Sequence, residues 1–153
     1  MSLDPTARRA NIKDSVKRFF RSTYSGELTF DKSLSSPDLM NTKAVDRWVN
    51  IDIGEVDRGY ITTVSLEIMC ASRKDPEGFK LAQLTDTVMG LITDTTMSDG
   101  MKRIPFYRSM ITGEWPLLGA FVVQDVFESK EMYAPDNTKY IILSAILKTA
   151  SKI

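Results

Sequence analysis

Residues 49–70 read VNIDIGEVDRGYITTVSLEIMC. Val49, Ile51 and Ile53 alternate with Asn50 and Asp52, a period of two that sets the apolar side chains on one face of a strand. Gly54 is expected to close that strand, and residues 54–59 to turn the chain. Beyond the turn, Tyr60, Thr62, Val64, Leu66, Ile68 and Cys70 share one face of a longer strand, and Ile61, Thr63, Ser65, Glu67 and Met69 share the other. A largely apolar face backed by a mixed one suits a sheet covered on one side and partly open on the other. The pair reads as an antiparallel hairpin whose cover must come from elsewhere in the chain.

Helices supply that cover. Downstream, Asp75-Pro76-Glu77 has the order of an N-cap followed by proline, and Leu81, Leu84, Val88, Leu91 and Ile92 follow at spacings of one, three and four. A helix over 76–93 is expected to lie across the sheet, weakened near its end by Gly90. Upstream, Asp4-Pro5 starts a helix over 4–22 with Ile12, Val16, Phe19 and Phe20 on one face, and Ser25-Gly26 ends it. Leu28 and Phe30 mark a short strand, after which 32–46 is polar and aperiodic, a long loop of the length that often reaches a partner. In the last third, Pro105 among Ile104, Phe106 and Tyr107 signals an edge strand or a bulge. The β-branched runs 117–127 and 140–150 are expected to pair across a charged connection, giving a C-terminal hairpin over 117–150. The order α-β-β-β-α-β-β-β predicts one α+β domain over 1–153, a mainly antiparallel β-sheet with two helices packed on it.

Composition narrows the chemistry. The chain has 153 residues with 42% apolar and 26% charged side chains, an ordinary globular balance. Its 20 basic and 20 acidic residues cancel, so attraction to DNA must come from local patches rather than net charge. Zero histidine removes histidine-based nucleophile activation, acid–base relays and metal ligation together, and one cysteine removes a thiolate zinc site and a disulfide framework. No enzyme activity and no cofactor is expected. No apolar run approaches a membrane span and the first residues lack an export signal's apolar core, so a soluble, unexported chain without membrane contact is expected.

Local constellations are few. Arg9, Lys13, Lys17 and Arg21 recur every fourth residue on the first helix, with Arg8 and Arg18 beside them and Asp14 the single acid. Such a stripe suits sequence-independent contact with phosphates, or simply a solvated face; Phe19 and Phe20 belong to the apolar face and no aromatic side chain interleaves with the basic ones, which disfavours base stacking. Glu55, Asp57, Asp94 and Asp99 sit in turns without a calcium-loop pattern, and read as caps and turn formers. Cys70 reads as a small core residue. Arg47 and Trp48 after the long loop, with Trp115, read as candidate interface anchors, or for the tryptophans as core caps. Met89, Met97, Met101 and Met110 suit either adaptable contacts or core filling.

The order of these features resembles the tail terminator, or tail completion, proteins of long-tailed bacteriophages. The likeness runs through the basic first helix, Arg47-Trp48-Val49-Asn50-Ile51, Asp57-Arg58-Gly59, and Arg73-Lys74-Asp75-Pro76-Glu77-Gly78 opening a helix that carries Leu84 and Asp86. The linker 94–100 and the connection 128–137 depart from it. What the resemblance implies is a structural virion subunit that forms a homohexameric ring at the head-proximal end of the tail. Its partners would be the tail tube protein, a head–tail connector or neck protein, and the sheath protein in sheathed tails. DNA would pass through the lumen past Arg9, Lys13, Lys17 and Arg21, while Arg47, Trp48, Asp57, Arg58 and Trp115 would serve subunit or partner contacts. The rival readings are another phage neck or head-completion protein, and a small non-histidine enzyme or binding module.

Overall fold

The computed structural model describes residues 9–26, 28–30, 46–57, 61–94, 96, 102–107, 117–134 and 138–150. The elements follow the expected order: α1 (Arg9–Thr23), β1 (Leu28–Phe30), β2 (Arg47–Asp57), β3 (Ile61–Ser72), α2 (Phe79–Ile92), β4 (Arg103–Tyr107), β5 (Leu117–Glu128), β6 (Met132–Tyr133) and β7 (Lys139–Ala150). The two-residue β6 is an addition inside the connection between β5 and β7. One sheet runs β1-β2-β3-β7-β5-β4, with β6 beside β7. Every pairing is antiparallel except β1 with β2.

The central hairpin pairs Val49 with Cys70, Ile51 with Ile68 and Ile53 with Leu66, so all six point to the same side. Gly54 does not end β2. An extra residue between Ile53 and Val56 makes a β-bulge, after which Val56 again faces inward opposite Val64 and the strand continues to Asp57. Glycine suits the bulge because a Cβ at position 54 would stand 3.2 Å from Ser65 Cβ. Bulges leave ladder carbonyls unpaired, and here Arg9 answers them, its guanidinium donating to Ile53 O at 3.1 Å and Gly54 O at 2.8 Å.

A second bulge lies between Gln124 and Phe127 in β5, with Asp125 at φ 52°. It turns Val126 against the core and leaves Phe127 outward and 66% exposed.

Both helices cover one face. Ile12, Val16, Phe19 and Phe20 of α1 and Leu81, Val88 and Ile92 of α2 join the inward strand residues in a single buried cluster. α2 starts at Phe79, three residues later than the proline predicts, because Gly78 takes a left-handed conformation and residues 75–78 form a turn instead. Asp75 still caps the helix from that distance, accepting from Leu81 N–H at 2.8 Å and Lys80 N–H at 3.3 Å. β4 is the edge strand that Pro105 foretold, and α1 shields it: Tyr107 N–H donates to Ser15 Oγ at 2.8 Å. The opposite edge strand, β1, also reaches α1 through Phe30. One helix therefore bridges both edges of a sheet that curls around it. The other face of the sheet, carrying Asp52, Glu67, Met69, Ile142 and Ile146, has no helix over it among the described residues.

Candidate functional site

α1 carries five cations, Arg9, Lys13, Lys17, Arg18 and Arg21, against one acid, Asp14. The apolar residues at Ile12, Val16, Phe19 and Phe20 fix which side of the helix is buried, and so fix where the cations emerge. They do not simply wave in solvent. Lys17 Nζ lies 5.4 Å and Arg21 Cζ 5.2 Å from the centre of the Phe30 ring, one helical turn apart over the same aromatic. On the other flank Arg18 Cζ lies 4.4 Å from the Tyr107 ring centre. Aromatic backing thus comes from β1 and β4, elements far from the stripe in sequence and brought to it only by the curled sheet.

Between these flanks lies an open recess of about 370 Å³ edged by Asp14, Lys17, Arg18, Arg21 and Ser22. Three cations and one carboxylate around one hollow favour an anion. Of the expected stripe, Lys17 and Arg21 line this recess. Arg9 instead clamps the β2 bulge, and Lys13 is half-buried.

The expected interface residues part company. Trp48 is 1% exposed, with the Arg73 guanidinium 4.8 Å from its ring centre, which removes it as a surface anchor and leaves the reading as a core cap. Arg47 borders a second recess against α2 with Lys80, Gln83, Leu84 and Thr87. Asp57 is exposed at the end of β2, beside exposed Glu55. Arg58 and Trp115 lie outside the described residues, as do Arg8, Asp99, Met97, Met101, Met110 and the loop expected over 32–45. Met89 packs against the core.

Burial pushes the Cys70 thiol up to about 12, with a hydrogen bond to Thr85 working against that shift and the charge of Glu128 adding to it. Such a thiol stays protonated and inert at neutral pH. Asp94 is held below the ordinary carboxylate range by the hydroxyl and then the N–H of Thr96, 2.5 and 2.9 Å away, as a turn former is. Among the described residues no three carboxylate or cysteine side chains converge as a metal site would need, and no helix is long and apolar enough to cross a membrane. Set against known proteins, the chain matches no protein-family model and no curated protein sequence.

Proposed function

We propose that this chain is a tail terminator: a subunit of a hexameric ring that caps the tail tube, ends its polymerisation and forms the joint with the head connector. In a sheathed tail the same ring meets the last sheath layer. The observation that carries this reading is the recess between Lys17, Arg18 and Arg21, backed by Phe30 and Tyr107. A surface of this kind attracts a passing phosphate backbone through charge alone and holds no base-reading geometry, as a lumen must. The inert Cys70 and the absence of histidine agree with a structural role.

Gold-labelled antibody on virions tests the placement. Label confined to the head-proximal tip of the tail supports the terminator, whereas label at the portal, or on no particle, overturns it. DNA retention tests the stripe. Binding should be weak and salt-dependent, and replacing Lys17 and Arg21 by glutamine should lower the log–log salt slope by about 2. An unchanged slope would remove DNA from this helix face.

A further inference from the structure

The recess at the start of β2 holds two cations and no counter-charge. Arg47, Lys80, Gln83, Leu84 and Thr87 surround an open volume of about 390 Å³ with no carboxylate in its lining. Arg47 Nε is buried there without a hydrogen-bond partner. A buried donor on a charged group is costly to leave unpaired, so an arrangement that keeps one calls for an external acceptor. The acids nearest in sequence are engaged elsewhere: Asp46 lies 3.7 Å from Lys74, and Asp75 is taken by the first N–H groups of α2 and by Ser72.

The helix-free face of the sheet has the opposite imbalance. Asp52 and Glu67 stand directly opposite each other on β2 and β3, a like-charge cross-strand pair that works against the sheet. Asp52 accepts from Asn50 Nδ2 at 3.1 Å, while Glu67 projects into solvent with no cation paired to it among the described residues. Exposed Glu55 and Asp57 extend the acidic strip along β2. Local conflicts of this kind mark functional surfaces more often than errors of folding.

The two imbalances lie on different sides of the sheet, Arg47 on the helix-covered side and Glu67 on the open one. Contacts between unlike patches of identical subunits repeat head to tail, and form a ring where the rotation closes. We infer that the outer-face carboxylates of one copy of this chain, Glu67 foremost, seat in the Arg47–Lys80 recess of the next. A carboxylate there would accept from the guanidinium and the ammonium, in the geometry that charge-assisted pairs favour. This inference rests on the ring reading and specifies the joint between its subunits.

Sedimentation velocity of the purified full chain, over a concentration series at low and high salt, tests it. The chain should associate with rising concentration, and less so at high salt. Lys80→Glu and Glu67→Lys, both at exposed positions and checked for unchanged thermal unfolding, should each weaken association by about tenfold or more, and the double exchange should recover most of it. Arg47→Gln, which removes the charge and keeps a donor amide, should weaken it as well. A chain that stays monomeric throughout, single variants that associate like the parent, or a double exchange that only adds the two losses would overturn the contact. Virion labelling separates the two ideas: label at the tail tip with association unaffected by Lys80→Glu removes this joint and leaves the terminator standing. Association rescued by the exchange, with no label on the tail, does the reverse.

Discussion

The carboxylate of Asp75 sits under the first turn of α2, its oxygens shared among Leu81 N–H, Lys80 N–H and the Ser72 hydroxyl. Burial alone would raise its pKa. The three hydrogen bonds and the nearby Lys139 ammonium outweigh burial and hold it below the ordinary carboxylate value. A depressed folded value means that the unfolded chain binds the proton more readily. The stabilisation is therefore complete above the unfolded carboxyl value of about 4, and is lost as the pH falls through the folded value. Asp75→Asn, which keeps one acceptor oxygen and loses the other together with the charge, should lower stability at neutral pH by about 1 kcal/mol and flatten the acid limb of a stability–pH curve measured by urea unfolding. An acid limb as steep as the parent's would place the titration elsewhere.

At the scale of elements, two edges and three register shifts shape the sheet, the third between Phe106 and Tyr107 of β4. Ser15 donates to Asn11 O at 2.8 Å and accepts from Tyr107 N–H, so one hydroxyl of α1 closes the open side of β4. Ser15→Ala should leave that amide without its partner, costing about 1–3 kcal/mol, and should speed its hydrogen exchange selectively. The β5 bulge depends on a left-handed Asp125, a conformation aspartate tolerates and branched residues do not. Asp125→Val should destabilise by about 1–2 kcal/mol while Asp125→Gly should not, as thermal unfolding would report.

Much at this scale was legible in the sequence. The alternation in 49–53 and 61–70, the helical spacing of Ile12, Val16, Phe19 and Phe20, and the edge position of Pro105 all describe local chemistry, and local chemistry survives folding. Gly54 was misread because a turn and a bulge ask for the same residue. The late start of α2 was illegible because Asp75 caps across a left-handed Gly78 rather than beside the helix. Strand pairing decides which aromatic side chains lie beside the cations, so the backing of Lys17, Arg18 and Arg21 by Phe30 and Tyr107 left no mark in the spacing of α1.

Across the described residues a single sheet brings both of its edge strands, β1 and β4, to one helix. The core lies between sheet and helices as one cluster from Ile12 to Leu147. The open face outside it carries Glu67 among Met69, Ile142 and Ile146, with Ile61 and Phe127 exposed nearby. Trp48, read from the sequence as an interface anchor or a core cap, is sealed under Arg73. Tryptophan beside a long polar stretch fits an anchor and a core cap equally well, and the burial of Trp48 distinguishes them.

The hydrogen bond from Tyr107 to Ser15 spans 92 residues of chain. During synthesis α1 leaves the ribosome first, and at about 5–20 residues per second the strand it must cover follows about 5–18 s later. Throughout that interval Ile12, Val16, Phe19 and Phe20 have only part of their final cover. The nascent chain must therefore wait, with a greasy helix in the crowded cell, for an edge that does not yet exist. Closure of the core waits on β4 and on the later strands β5 and β7 that carry it into the sheet.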